Sequence, residues 1–447
     1  MLYTVRAPLH RAISPSMSSH PLSHKSARIA RVQLFAVSLL SLAGIVNYMD
    51  RGSLAIANTT IRANLGISAT RMGILLSFFS LSYAVSQLPV GLLLDHLGER
   101  IVLGAGMFLW SATQAATGLI ANFANFAAAR IGLGLGEAPY VVGSVKSIND
   151  WFSDRDRATP TGIFDSSTAF GQAIAPPILT AIMLAFGWRG MFICIGIPGL
   201  VLSVLWFAFY RDRKSVQLTA EEEAYLDGTC SRAGAPRLSV VQWCGLFRLR
   251  TMWGMMLGFG GVNYTAWLYM SWMPNYLEAA HHVSVRATGM LAVIPFFLGG
   301  VGMVLSGLAA DWLVRRGVAP IRAHRSILVF GMTCSAFSTL LVPYFSTGAT
   351  AAVGIGMALF FIYFAGNSGW GLVQSIAPPG MVGSVGAIQN FGSFVCASAG
   401  PIVAGWLLDR THSFHLTLVI CCLVTLLGAL SYIFIVKDPI LTPAPAD

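Results

Sequence analysis

Apolar blocks about as long as a bilayer is thick recur along this chain, and that feature leaves few folds open. Hydrocarbon about 30 Å deep is crossed by about 20 residues of helix, each rising about 1.5 Å. Blocks of that size lie near 33–58, 72–94, 101–122, 124–145, 162–184 and 188–210, then near 252–277, 288–310, 326–345, 349–374, 383–407 and 414–436. Backbone N–H and C=O groups find no water in hydrocarbon, so spans of this kind satisfy one another within a helix. Only 10% of the residues are charged, against about a quarter in soluble domains, too few to cover a water-facing surface. The pattern predicts an all-α membrane protein of twelve transmembrane helices in two six-helix halves. The halves are expected at 33–210 and 251–437, with a tail at 1–32, a polar linker at 211–250 and a second tail at 438–447.

The net charge of +10 does not point to nucleic acid, because the basic residues lie in loops beside the spans rather than on one basic face with interleaved aromatics. Topology accounts for it. With the N-terminus inside, Arg62, Arg71, Arg189, Arg286 and Arg410 fall outside, Arg51 and Arg130 fall within spans, and the other Lys and Arg residues fall in the cytoplasm. Both termini and the linker are then cytoplasmic, in a multi-pass membrane protein. The linker carries Arg211, Arg213, Lys214, Arg232, Arg237, Arg248 and Arg250, and Thr219-Ala-Glu-Glu222 reads as a capping box that opens a short helix. Residues 1–31, with Arg6, Arg11, Lys25, Arg28, Arg31 and several serines but no acid, lack the apolar core of a signal peptide. They read as a cytoplasmic tail, or as upstream of a start at Met17.

The seven cysteines, Cys194, Cys230, Cys244, Cys334, Cys396, Cys421 and Cys422, have no CxxC or Cys/His spacing, so no disulfide or metal site is expected. The chain lacks a GxxxxGK[ST] phosphate loop, HExxH and G-x-S-x-G, which argues against an ATP-driven pump and against an enzyme. The histidines lie in tails, loops or motif ends and suggest no proton relay.

An internal repeat supports two halves. Gly91-Leu-Leu-Leu-Asp95-His-Leu-Gly98-Glu99-Arg100 follows the second block, and Gly307-Leu-Ala-Ala-Asp311-Trp-Leu-Val-Arg315-Arg316 follows the eighth, half a chain later. The first of these resembles the signature of the major facilitator superfamily, with Glu99 in place of one basic residue. An aspartate there can face the positive end of a neighbouring helix while basic residues bind carbonyls, so Asp95, Arg100, Asp311 and Arg315 are candidate gating residues.

A charge at the bilayer centre costs about 2.5–3.5 kcal/mol on insertion scales, which makes each one a candidate for function. Asp50 and Arg51 follow an apolar run from Leu34 to Met49 and precede Leu54-Ala-Ile-Ala57, so the first span is expected to continue past them. Arg130 and Glu137 are seven residues apart, which returns them to within about 20° of one helix face. Gly132, Gly134 and Gly136 between them admit a neighbouring backbone, and Pro139 bends the span.

Asn47-Tyr48-Met49-Asp50-Arg51, the stretch from Arg130 to Pro139, and Trp151-Phe152 with Asp156-Arg157 together resemble the anion:cation symporter family, which moves organic anions such as galactonate, glucarate and hexuronates. The resemblance implies anion recognition by Arg51 and Arg130 and proton coupling by Asp50 and Glu137. It adds Tyr48, Tyr83, Tyr264, Trp370 and Asn390 as candidate substrate contacts. Asp165 and Thr168 stand where that family's sugar-acid permeases carry Asn and Gln, and form a possible extra site. The implied activity is proton-coupled import of an organic anion, a sugar acid such as an aldonate, aldarate or hexuronate, by a monomer with the proton as coupling ion and no other cofactor. An aromatic or dicarboxylic acid symporter, an anion exchanger or facilitator of the same fold, and a transporter-like nutrient receptor are the alternatives.

Overall fold

The computed structural model describes residues 25–153, 156–227, 240–378, 381–436 and 440. Cys230, Arg232, Arg237, Arg6 and Arg11 lie outside the described residues, as does nearly all of the second tail.

The described chain is helical, in the order α1 (Ala27–Ile56), α2 (Asn58–Leu65), α3 (Ala69–Thr117), α4 (Phe123–Glu137), α5 (Pro139–Trp151), α6 (Ala158–Phe209), α7 (Ala220–Asp227), α8 (Val240–Gly245), α9 (Arg250–His281), α10 (Val285–Leu291), α11 (Val293–Arg315), α12 (Pro320–Leu341), α13 (Gly348–Ile376), α14 (Val382–Thr411) and α15 (His415–Phe434). Eight stretches among the described residues are long and apolar enough to cross a membrane. Two of these, α3 and α6, each hold two spans, broken where Gly98 (φ 80°) and Gly187 (φ 70°) adopt a backbone closed to most L-residues. The fourth span is shared by α4 and α5, because Pro139 has no N–H for the carbonyl one turn back. With α9, the count reaches twelve.

Starts of helices carry their own caps. Ser26 accepts from Ile29 N at 3.1 Å, Ser68 from Arg71 N at 3.2 Å, and Asn122 from Asn125 N at 2.9 Å.

In the first half α1 packs on α6, and α3 packs on α4, α5 and α6; in the second, α13 receives α11 and α12, and α15 receives α9 and α12. The halves meet along three seams, α3 with α14, α1 with α9, and α6 with α10 and α11. One apolar cluster, around Leu40, Leu103, Trp110, Tyr140 and Trp206, belongs to the first half; a larger one runs through the second half and across the seams to Leu54, Met72 and Leu179. The charged cluster lies between them, where the seams converge.

The linker divides between the halves. Glu222 and Thr219 form the capping box, with Thr219 N to Glu222 Oε2 at 3.1 Å and Glu222 N to Thr219 Oγ1 at 3.3 Å. Helix α7 docks on the first half through Ser26 Oγ to Glu222 Oε1 (2.7 Å) and Tyr225 OH to Asp156 Oδ2 (2.7 Å), while Trp243 and Phe247 pack on the other cluster.

Candidate functional site

Helix α1 runs unbroken through Asp50 and Arg51 to Ile56, so both charges sit inside the bundle. The Arg51 Nε donates to Glu137 Oε2 at 2.7 Å, an ion pair between α1 and the end of α4 from which solvent is almost wholly excluded. Four rings surround that guanidinium: Tyr48 and Tyr83 at 5.1 Å from its central carbon, Phe79 at 5.5 Å and Trp267 at 5.9 Å. Aromatic faces stabilise a desolvated cation.

Arg130 lies over the same Phe79 ring, at 5.3 Å from its centroid, so one phenyl group neighbours two guanidinium groups. Its Nε and Nη1 are buried without a hydrogen-bond partner among the described residues, as are both carboxylate oxygens of Asp50. Asp50 and Glu137 are fully buried and interact electrostatically with Arg51 and Arg130. Two cations and two potential anions thus share one dry site with donors and acceptors left over. Buried groups in that condition are costly until a proton or a ligand completes them.

The shared face expected for Arg130 and Glu137 places both in this site, but Glu137 pairs with Arg51 across helices and not with Arg130. The glycines between them do admit a backbone: a Cβ on Gly136 would lie 2.6 Å from Trp110 N of α3. Tyr48 and Tyr83 belong to the cage around Arg51. Asn390 of α14 donates to Gln87 Oε1 of α3 at 3.2 Å across a seam. Tyr264 is buried with an unpaired hydroxyl, against the backbone of Gly400, and is not among the rings around Arg51. Trp370 is exposed and contacts Phe259 edge-on at 6.0 Å. Asp165 is exposed, and Thr168 donates to the Asp165 carbonyl at 2.8 Å; Asp165 interacts electrostatically with Tyr140, as Arg51 and Glu137 do.

At the linker end, no helix-start N–H among the described residues donates to Asp95. Lys146 of α5 lies 3.1 Å from Asp95 and 2.8 Å from Glu99, so the acid that departs from the signature has found its own cation. Arg100 does bind a carbonyl, Phe207 O at 2.7 Å, and its N–H donates to Asp212 at 2.9 Å. Asp311 and Arg315 form an exposed pair at 4.0 Å on one helix.

Sequence reasoning missed Phe79, Trp267, Lys146, and the bond from Gln172 Nε2 to Tyr363 OH at 2.7 Å that joins α6 to α13. Phe79 had a signal, lying four residues before Tyr83 and so on the same helix face. Trp267 and Tyr363 come from the other half, where no local pattern marks them.

The Major Facilitator Superfamily model matches residues 40–401. The chain belongs to that superfamily. This member is 52% identical over 422 residues to the "Probable L-galactonate transporter" of Escherichia coli K12, covering 94% of this chain and 93% of the relative. It is 30% identical to the hexuronate transporter of Bacillus subtilis 168, covering 93% and 97%. The crystal structure of a D-xylose-proton symporter superposes with a TM-score of 0.73 at 15% identity, over 91% of this chain and 98% of that one, which shows the fold. As a superfamily member, the protein is a multi-pass membrane transporter and not an enzyme.

Proposed function

We propose that this transporter imports a sugar acid together with protons, with galactonate the first substrate to try. The observation that carries the reading is the buried pair of Arg51 and Glu137. An acid-bearing substrate needs a guanidinium, and here the guanidinium is already held by a carboxylate that a proton can neutralise. Protonating Glu137 frees Arg51 for the substrate carboxylate; Asp50 and Arg130 supply the second proton site and the second anchor, and Tyr48, Tyr83 and Asn390 orient hydroxyl groups. A loaded, neutralised site can be occluded at lower cost than one with unpaired charge. Release inside lets the acids ionise and the internal pair re-form, so the empty carrier returns. The halves 33–210 and 251–437 rock about this site, in a monomer whose linker and termini face the cytoplasm of a bacterial cell. Similarity to sugar-acid transporters and the basic bias of the linker side support these assignments.

The test is uptake of labelled L-galactonate, glucuronate and glucarate into proteoliposomes with and without an inward proton gradient. Wild type accumulates at least one of them against its gradient. Glu137→Gln retains exchange of substrate across the membrane but loses gradient-driven accumulation; accumulation that survives in this variant removes Glu137 from coupling. Two protons with one monoanion carry one net charge, so uptake produces an inward current worth about 2.3 kcal/mol per 100 mV.

A further inference from the structure

A groove of about 300 Å³ opens on the lipid-facing side of the first half, at the linker end, between the start of α1 and the end of α6. Its lining is graded. Arg28 and Arg31 form the rim, Val32, Phe35, Ala36 and Leu39 continue down one stripe of α1, and Phe209 and Tyr210 close the opposite wall from the end of α6. Phe35 and Phe209 stack at 5.4 Å and 12°, yet both stay at least half exposed (50% and 57%). The spacing 28, 31/32, 35/36, 39 keeps the arginines and the apolar residues on one helix face, with the charges displaced about two turns toward the membrane surface.

Positive charge exceeds negative around the rim. The lining arginines Arg28 and Arg31 meet one carboxylate there, that of Glu222, which already accepts from Ser26 and from Thr219 N. Arg28 gives one N–H to the Gln217 carbonyl at 3.1 Å and lies 3.7 Å from Glu222, while Arg31 uses only its Nε, on Ala27 O at 3.4 Å. Several N–H groups on the two guanidinium groups therefore stand at the mouth of a greasy slot.

We propose that this groove binds an anionic phospholipid, its phosphate on Arg28 and Arg31 and one acyl chain along Phe35, Leu39 and Phe209. The volume takes a phosphodiester and the first methylenes of a chain, with the remainder of the lipid in the bilayer. Phosphate suits paired guanidinium groups, and the depth of the apolar wall calls for a chain attached to it. A zwitterionic lipid would bring its own cation to a rim that already carries excess positive charge. Docking of α7 on Ser26 and Arg28 means that the same lipid would brace the linker helix against α1.

The test compares purified wild type with Arg28→Gln/Arg31→Gln in detergent, by native mass spectrometry and by melting temperature, while phosphatidylglycerol, phosphatidylethanolamine or glycerol 3-phosphate is added. Wild type retains phosphatidylglycerol and melts higher with it, and the double variant binds it about thirtyfold more weakly, the effect of two basic contacts. Arg250→Gln/Arg322→Gln, which removes two exposed charges at the same end outside the groove, behaves as wild type. Equal retention of phosphatidylethanolamine, equal stabilisation by glycerol 3-phosphate, or undiminished phosphatidylglycerol binding in Arg28→Gln/Arg31→Gln overturns the proposal. Should the double variant fold poorly, Phe35→Ala with both arginines intact must still lose affinity for the lipid while gaining none for glycerol 3-phosphate.

Discussion

At the end of the bundle away from the linker, Asp409 of α14 reaches across the seam to the start of α3, accepting from Ala69 N at 2.9 Å, Thr70 N at 2.7 Å and Thr70 Oγ1 at 2.6 Å. A second bond joins Thr59 to Glu278 of α9. At the linker end the described ties run within a half: Lys146 to Asp95 and Glu99, Arg100 to Phe207, Arg315 to Asp311. The seam between α3 and α14 shows the gradient along a single pair of helices. A Cβ on Gly73 or Gly405 would strike the carbonyl of Pro401 or Ala69, whereas Gly91 and Gly383, toward the linker, have no heavy atom within 4 Å of that position. The halves are clamped at one end and part at the other, beyond the Asn390–Gln87 bond that still bridges the seam on the linker side of Phe79 and Tyr83. A carboxylate on free N–H groups at a helix start is a contact that can be made and unmade as a unit, which suits a gate; the intra-half ion pairs suit bodies that move without deforming.

Four experiments press on this contrast. Gly73→Leu drives a branched side chain into the α14 backbone and is expected to hold the clamped end apart, reducing uptake at least about tenfold; a reporter distance across that end should lengthen, and an unchanged distance would refute the close-packing account. Asp409→Ala removes three acceptor contacts of a charged group. It should shift the population toward the state open at that end by about tenfold, read as faster thiol labelling of cysteines placed on α2.

Glu222 gives a smaller, pH-dependent effect. The Ser26 hydroxyl, the Thr219 N–H and Arg28 hold its carboxyl below the usual carboxylate range. A folded value below the unfolded one means that docking of α7 is stabilised above about pH 4.3 and loses that contribution as pH falls through the lower, folded value. Spin labels at Lys25 and Glu221 should therefore move apart on acidification, and in Glu222→Gln the distance should no longer depend on pH. Arg315→Ala, at an exposed pair within one helix, should change the melting temperature and the reporter distances least, by an amount equivalent to less than about 0.5 kcal/mol. A large effect there would show that this pair acts between the halves in another state.

Length of apolar runs made the helical membrane fold legible, and the repeated Asp95 and Asp311 segments made the duplication legible. The twelve spans were legible too, including the breaks near Gly98 and Gly187; that these two glycines turn the chain without leaving a loop was not. Within the site, a single helix can be read for which residues share its face, and so Arg130 with Glu137 and Asp50 next to Arg51 were visible. Which cation meets which anion depends on the approach of α1 to α4, and periodicity carries no information on that. The same limit hid Lys146: Glu99 looked like a damaged signature until the charge that answers it came into view some 50 residues along the chain. Tyr264 and Trp370 show the reverse, aromatic residues in spans that the resemblance marked but that lie outside the ring of groups on Arg51.

Trp267 is the one member of the Arg51 cage contributed by the second half, and it also stacks on Phe79 at 5.8 Å. An indole held against a cation from the opposite body carries an optical readout with it. Any step that draws Arg51 toward a carboxylate, or swings α9 away from α1, changes the electric field on that ring and hence its emission. Among the eleven tryptophans of the chain, the component lost in Trp267→Phe should be the one that responds to substrate, giving the protein a native fluorophore for timing each turnover without an added label.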